Sequence, residues 1–333
     1  MVKDVPFISV IIPASADEKV IRKCLDSIFT QRYPRNRFEV ILVTSSNYKP
    51  GFQQRYPLRI IHADVSPGAK RNIAAKKATG SILALCDDDV IVHQDWLGNL
   101  VPNFKDPMVA VVGGPNPSSH DANLRERCSG YILSSFLGSA SMSTRYRSAS
   151  FSVKEAEETD LIACNMAVRK SVMEKFEFPE EIWPNEENVF CYHVKKSGYK
   201  LLYDPKVIVW HQRRPIFLPH VKQVFRYGRG RGQMMRMYPN STNLLHTLPS
   251  LFVLSLLTGA LLSLLNSFVF TMFSVALFAY FAIVLLTSAK IAVQERNSKA
   301  FLLLPLAFFL HHCAYGLGVL KGFMLNWKVK DNQ

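Results

Sequence analysis

The chain has 333 residues, 48% of them hydrophobic, and 40 Lys and Arg against 26 Asp and Glu give a net charge of +14. This length suits two domains or one large one, with enough apolar residues for a core throughout. Its six cysteines (Cys24, Cys86, Cys128, Cys164, Cys191 and Cys313) lie far apart without a CxxC pair, which excludes a zinc site of the usual spacing and supports no disulfide framework.

The chain opens strand-first. Phe7 to Ile12 is an apolar, β-branched run stopped by Pro13. No signal-peptide pattern precedes it. Val20, Ile21, Cys24, Leu25, Ile28 and Phe29 then recur at helical spacing, with Asp17 as the cap and Tyr33-Pro34 as the stop. Phe38 to Val43 and Leu58 to Ile61 read as strands, with a Tyr48-Lys49-Pro50-Gly51 loop between them, and Gly68 to Thr79 as a helix. Ser81 to Val90 is a buried strand that ends in Asp87-Asp88-Asp89. Trp96 to Phe104 is predicted helical and Met108 to Val112 extended; Ser118 to Glu158 reads mostly as loop or lid, with a helix within Leu124 to Leu137. Leu161 to Val168 reads as a strand, Ser171 to Phe176 and Glu186 to Lys196 as helices, and Leu201 to Tyr203 and Val207 to Trp210 as strands. Strands alternating with helices predict a mainly parallel α/β sheet.

The charge is uneven. From Pro205 to Gln294 there is no Asp or Glu, while His211 to Asn240 carries Arg213, Arg214, Lys222, Arg226, Arg229, Arg231 and Arg236. Such a block points to phosphate-bearing ligands or an anionic membrane face. The interleaved aromatics of a single-strand nucleic-acid platform are thin, so nucleic acid is not an expected partner. Leu244 to Ala289 holds no charged residue and is long enough for two transmembrane helices turning at Asn266-Ser267. Ala300 to Leu320 is a third uncharged stretch, interrupted by Pro305, His311 and His312, which suits a span or a re-entrant segment. The two histidines read as polar contacts between segments rather than ligands. Basic residues before the first span and in Lys290 to Lys299 place the catalytic part in the cytoplasm, on a multi-pass cell-membrane protein.

Three features carry chemistry. Asp87 and Asp89 at a strand end suit a hard divalent cation, Mg²⁺ or Mn²⁺. Asn185-Glu186-Glu187 opens a helix with a second carboxylate pair. The arginine-rich arm follows Trp210-His211. Metal, base and phosphate-binding cations are together what group transfer from a nucleotide diphosphate needs.

Over residues 6 to 232 the chain resembles the inverting, GT-A-fold, family 2 glycosyltransferases, and its tail resembles succinoglycan-type membrane members. The resemblance rests on Ser9-Val10-Ile11-Ile12-Pro13, Gly68-Ala69-Lys70-Arg71-Asn72, a DxD motif at Asp87 to Asp89, an ED-like motif at Glu186-Glu187, and Gln223, Arg226 and Tyr227 as a variant QxxRW motif. It implies a GT-A sheet flanked by helices plus C-terminal transmembrane helices. It places Pro13, Ala14, Glu18, Ser45, Lys70, Asn72, Asp87 and Asp88 around the donor, and Asp89 and His211 at the metal. Glu187 is then the base, with Glu186 its rival; Arg214, Arg226 and Arg229 meet the diphosphate. Trp183 and Asn165 are expected on the acceptor side. Two departures stand out: Thr44-Ser45-Ser46-Asn47 replaces the usual acids after the second strand, and the ED aspartate is Glu187.

The expected layout is a catalytic domain over 1–215, a basic interfacial segment over 216–243, a membrane domain over 244–322 and a tail over 323–333. The expected reaction is transfer of a sugar from a nucleotide-diphosphate sugar to a polyprenyl-diphosphate-linked glycan, in polysaccharide or surface-glycan assembly at the membrane lipids. The alternatives are a polyprenyl-phosphate sugar synthase, or a noncatalytic membrane-anchored partner on the same scaffold.

Overall fold

The first strand shows how the sheet is built. β1 (Ile8–Pro13) is buried along its whole length, and its side chains alternate between faces. Ile8, Val10 and Ile12 join one apolar layer and Ile11 the opposite one. The computed structural model describes residues 5–14, 17–45, 57–148, 152–241 and 244–325; the Tyr48 loop, Ser46 and Asn47 lie outside them. The chain forms two units, Met1–Asp121 with Thr144–Gln212, and Ala122–Ser143 with Arg213–Gln333. The sequence reading groups 122–143 with the catalytic residues; in the structure this segment belongs to the second unit.

In the first unit, β1 is followed by α1 (Glu18–Phe29), β2 (Phe38–Thr44), β3 (Arg59–His62), α2 (Pro67–Lys77), β4 (Ile82–Cys86), β5 (Val90–Val92), α3 (Trp96–Leu100) and β6 (Val109–Gly113). The excursion into the second unit holds α4 (Leu124–Ser134) and α5 (Phe136–Ser139). The chain returns with β7 (Lys154–Glu155), β8 (Asn165–Arg169), α6 (Lys170–Met173), α7 (Glu186–Lys196), β9 (Lys200–Tyr203) and β10 (Val209–His211). Eight strands make one sheet in the order β3-β2-β1-β4-β8-β6-β9-β7. The pairs β1–β2, β1–β4, β2–β3 and β6–β9 are parallel; β8 runs antiparallel between β4 and β6, and β7 antiparallel on β9. This is a mixed α/β, mostly parallel GT-A-like sheet.

Most sequence-level boundaries hold within a few residues. The Asp17 carboxylate accepts from the amides of Lys19 and Val20 and starts α1. α7 runs from Glu186 to Lys196 as expected, and Gly198, at φ 87°, ends it. Two elements differ. The helix from Trp96 tightens after Leu100 into a 3-10 turn over Val101–Lys105, where Pro102 has no amide to donate. The strand expected from Leu161 begins only at Asn165, because the buried residues before it lie in turns. The short β5 was not anticipated; among the described residues it pairs with β10, outside the main sheet.

The second unit continues with α8 (Leu218–Met237), α9 (Leu248–Ser263), α10 (Ser267–Gln294) and α11 (Ser298–Met324). Asn266 caps α10 through the amides of Phe268 and Val269, which fixes the turn where the sequence places it. α10 and α11, of 28 and 27 residues, are long and apolar enough to cross a membrane. α9, expected as a full span, has only 16 residues, short of the roughly 20 a span needs. α11 is one unbroken helix through Pro305, so no re-entrant hairpin forms there.

α8 and α11 pack at backbone distance. A Cβ on Gly228 would lie 2.3 Å from the Tyr315 carbonyl oxygen, and one on Gly232 2.1 Å from that of Val319. From the other side, Cβ atoms on Gly318 and Gly322 would meet the carbonyls of Phe225 and Arg229 at 2.2 and 1.9 Å. Small residues four apart on both helices allow this approach. His311 and His312 are buried contacts, as expected. His311 meets His220 at 3.0 Å and the Gly138 carbonyl at 3.0 Å; His312 meets Tyr280 at 2.8 Å and the Leu137 carbonyl at 2.9 Å. They tie α11 to α5, α8 and α10.

Candidate active site

β4 is buried at every position and delivers Asp87 to the carboxyl end of the sheet, the edge where open α/β sheets bind ligands. The chain turns through Asp88 and Asp89 into β5. Antiparallel pairing of β5 with β10 sets His211 opposite Val90, and the Gln212 amide donates to the Asp89 carbonyl at 3.0 Å. His211 Nε2 therefore lies 3.3 Å from Asp89 Oδ1. On the other side, β8 pairs with β4 so that Asn165 faces Cys86, which carries Cys164 beside Asp87. Ligand atoms of Asp87, Cys164 and His211 all lie within 4.8 Å of one another. The Asp87 carboxylate and His211 imidazole in this group are donors that suit a divalent ion such as Mn²⁺ or Mg²⁺; the buried Cys164 thiol is the third member, and Asp89 stands beside His211.

Arg71 links this cluster to the acidic helix. Ser66 and Pro67 start α2, whose buried face includes Gly68, Arg71, Ala74 and Ala75. The Arg71 guanidinium, 2% exposed, donates through Nη2 to Asp87 Oδ1 at 2.7 Å and through Nη1 to Glu186 Oε1 at 2.8 Å. It also lies 5.7 Å from the centre of the Phe178 ring.

Asn185 precedes α7 at φ 89°, a left-handed conformation that Asn tolerates better than most residues. The turn buries Glu186 and Glu187. Burial pushes the Glu186 carboxyl up to about 7, the neighbouring Glu187 adds to this, and Arg71 opposes it. Burial also raises Glu187, against the backbone amides and the charges of Arg145 and Arg71. Glu186 Oε2 is buried without a hydrogen-bond partner, and Oε1 is held by Arg71.

The remaining expected residues separate into groups. Pro13 ends β1 and Ala14 follows it, and Lys70 Nζ donates to the Ala14 carbonyl at 2.9 Å. Asp88 is buried and acts electrostatically on Lys70. Ser45 follows β2, its carbonyl 3.1 Å from His62 Nδ1. Glu18 is paired within α1 to Arg22, with contacts of 2.9 and 2.5 Å. Trp183 is 39% exposed. Two expected residues are buried within the frame. Asn72, expected near the donor, is buried and uses its amide on the Phe178 backbone, at 2.9 Å in both directions. Asn165, expected near the acceptor, is fully buried; it donates to the carbonyls of Pro115 and Val207 and accepts from the Trp96 indole. Both tie backbone segments of the frame together through these bonds. Arg214, Arg226 and Arg229 belong to the second unit, the first two exposed and Arg229 half-buried.

The site residues missed in the sequence are Arg71, Cys164 and Arg145. Arg71 left a signal: a charge on the helix face shared with Ala74 and Ala75. Arg145 is buried, bonded to the Thr159 carbonyl at 3.0 Å and the Tyr146 hydroxyl at 2.8 Å; it left none.

Residues 6–230 match the glycosyltransferase-like family 2. The chain belongs to this family. It is a glycosyltransferase that uses a nucleotide sugar, and its relatives and structural neighbours are of the same kind. Glycosyltransferase AglE of Haloferax volcanii is 28% identical over 70% of this chain and 76% of its own length. A Methanococcus voltae relative, dolichyl N-acetyl-α-D-glucosaminyl phosphate 3-β-D-2,3-diacetamido-2,3-dideoxy-β-D-glucuronosyltransferase, is 24% identical over 96% of this chain and 97% of its own. Among solved structures, the mannosyltransferase PcManGT of Pyrobaculum calidifontis, in complex with GDP-Man and Mn²⁺, shares the fold with a TM-score of 0.59 and 19% identity, over 96% of this chain and 88% of that one.

Proposed function

We propose that this enzyme transfers a sugar, with inversion, from a nucleotide-diphosphate donor to a lipid-linked glycan at the cytoplasmic face of a membrane. The observation that carries the proposal is the pair Asp89–His211 beside the linked set Asp87–Arg71–Glu186, with ligand atoms of His211 and Asp87 within 4.8 Å and Glu187 next in sequence. It joins a cation-binding cluster to a buried carboxylate pair within one unit. Asp87, Asp89 and His211 would hold Mg²⁺ or Mn²⁺, which when bound supplies positive charge for the departing diphosphate. Arg71 holds Asp87 in place and ties up one oxygen of Glu186. That leaves Glu187, free of an Arg71 bond, as the group that takes the proton from the acceptor hydroxyl. A raised proton affinity suits a base working near neutral pH. Pro13, Ala14, Ser45, Lys70 and Asp88 surround the nucleotide end, and the half-open Trp183 ring offers a stacking face for an acceptor sugar. The Methanococcus relative, matched almost end to end, acts by its name on a dolichyl-linked sugar phosphate, which supports the lipid-linked acceptor. The long apolar helices support the membrane location.

The test is a panel of nucleotide sugars given to the detergent-solubilised chain, read as release of nucleoside diphosphate with and without Mn²⁺. Metal-dependent release is expected, with Asp89→Asn and His211→Ala losing it. Glu187→Gln should lower transfer to the acceptor by about 10²–10⁴-fold. Wild-type turnover in Glu187→Gln overturns the base assignment and favours synthesis of a polyprenyl-phosphate sugar, whose acceptor is already ionised.

A further inference from the structure

The end of β4, the start of β8 and the end of β10 bring three kinds of donor to one point. Ligand atoms of Asp87, Cys164 and His211 lie within 4.8 Å of one another: an oxygen, a sulfur and a nitrogen. Each is held from behind. Arg71 Nη2 donates to Asp87 Oδ1 at 2.7 Å and orients that carboxylate. The backbone at Cys164 is fixed by the next residue, Asn165. The Asn165 side chain donates to the carbonyls of Pro115 and Val207 and accepts from the Trp96 indole, and its amide donates to the Ile162 carbonyl at 3.0 Å. The His211 amide donates to the Pro117 carbonyl at 2.8 Å, and the His211 carbonyl accepts from the Ser119 amide at 3.0 Å. Asp89 Oδ1 stands 3.3 Å from His211 Nε2. Supporting contacts of this kind set the direction of metal ligands.

A hard cation does not account for Cys164. Mg²⁺ takes oxygen ligands, whereas thiolate ligands select softer ions such as Zn²⁺. Cys164 is buried at the border of the apolar layer that also holds Cys86, Val90 and Val207. Packing in that layer asks only for a small apolar residue; it does not ask for a sulfur beside a carboxylate and an imidazole. We infer that Cys164 is a metal ligand, and that its sulfur, together with Asp87 and His211, makes this a site for a thiophilic transition ion, Zn²⁺ ahead of Mn²⁺ and Mg²⁺. Zinc bonds sulfur at about 2.3 Å and nitrogen or oxygen at about 2.0–2.2 Å, so small side-chain movements close the three donors on one ion. Three protein donors are also the number used by catalytic zinc sites, where the remaining position goes to water or substrate. The three residues are far apart in the chain, so no short cysteine motif marks the site in the sequence. The inference rests on the cation site proposed above and names the residue that sets which ion it takes.

The experiment uses the detergent-solubilised full chain, stripped with chelator and loaded with Zn²⁺ or Co²⁺ alone, without donor. X-ray absorption of the Zn²⁺ form should show one sulfur neighbour at about 2.3 Å beside nitrogen and oxygen at about 2.0–2.2 Å. The Co²⁺ form should show a sulfur-to-cobalt charge-transfer band. Equimolar Zn²⁺ removes that band, and about a hundredfold excess of Mg²⁺ leaves it. Cys164→Ser should abolish the band and weaken Zn²⁺ binding by about tenfold or more, with Mn²⁺ binding, followed by electron paramagnetic resonance, much less affected. Cys313→Ser, at the one other cysteine that is not buried, keeps the band. A shell of nitrogen and oxygen alone, a band that survives in Cys164→Ser or is lost in Cys313→Ser, or equal weakening of Zn²⁺ and Mn²⁺ in Cys164→Ser would overturn the inference. The wild-type absorption spectrum decides whether sulfur is bound even where a variant does not fold. Sulfur ligation with no donor hydrolysed under any ion keeps this inference and sinks the enzymatic proposal; Mn²⁺-dependent hydrolysis with a nitrogen and oxygen shell does the reverse.

Discussion

Arg71 sits between two carboxylates with almost no access to water, and that position makes it the residue whose loss is most informative. A buried ion pair adds little over an apolar replacement of the whole group, but removing one partner leaves the other charge stranded, at a cost of about 3–5 kcal/mol. Arg71→Met should therefore destabilise the protein by that order. The pH dependence gives a sharper signature. Glu186 in the folded chain holds its proton up to about 7, against 4.5 for the free side chain. The folded state then binds more protons than the unfolded one across that window, and stability falls as pH rises through it. Without Arg71 the folded-state value rises further, so the loss continues above pH 7. Thermal midpoints of wild type and Arg71→Met, measured in detergent from pH 5 to 8.5, should diverge as pH rises; parallel curves would rule out the Arg71–Glu186 coupling. The sequence showed Asp87, Asp89, Glu186 and Glu187 because carboxylates at a strand end and a helix start are visible as patterns. It did not show Arg71 joining them, because that contact spans 115 positions from Arg71 to Glu186 and depends on how α2 and α7 meet.

At the scale of elements, periodicity located the core strands and α7 well, since each has a hydrophobic period set by its own neighbours. The strand at β10 was legible, but β5 and its pairing with β10 were not: a three-residue strand has too little sequence to show a period, yet this ribbon positions His211. The close packing of α8 on α11 was also hidden, although its glycines were in view, because glycine within a helical pattern signals only permissiveness. The structure gives those glycines a specific cost. A methyl group at Gly232 would meet the Val319 carbonyl oxygen at 2.1 Å, a backbone atom that cannot swing aside. Overpacking of this kind costs typically about 1–3 kcal/mol. Gly98, in α3, has no atom within 4 Å of a built Cβ, and Ala there gains about 0.5–1 kcal/mol from helix propensity. Gly232→Ala should thus lower the melting temperature by several degrees, at roughly 2–4 °C per kcal/mol for a domain of 150–250 residues, while Gly98→Ala holds or raises it. Equal effects from the two substitutions would count against the close α8–α11 contact.

For the whole molecule, two kinds of membrane attachment compete, and they predict opposite behaviour. α8 and the exposed Arg214 carry cations that could bind an anionic surface by charge, an attachment that salt screens within a Debye length of about 3 Å at 1 M. α10 offers a different attachment. Only 6% of its most apolar window is buried within the protein, and Phe268, Phe278 and Leu286 along it are 69%, 78% and 71% exposed. Leaving one such side chain in water forgoes about 1.5–3 kcal/mol. Summed along a 28-residue helix, this outweighs the roughly 1 kcal/mol that each basic residue contributes at an anionic surface. The helix, about 42 Å long at 1.5 Å per residue, also exceeds the hydrocarbon thickness of about 30 Å. Of the two, insertion is therefore the expected attachment, with the basic arm adjusting how the protein would meet lipid. Expressed at full length, the chain should sediment with membranes, stay there through washes with 1 M salt and alkaline carbonate, and enter the supernatant only with detergent. Release by salt alone would mean that α10 is covered by protein, and that the cations, not the apolar helices, make the attachment.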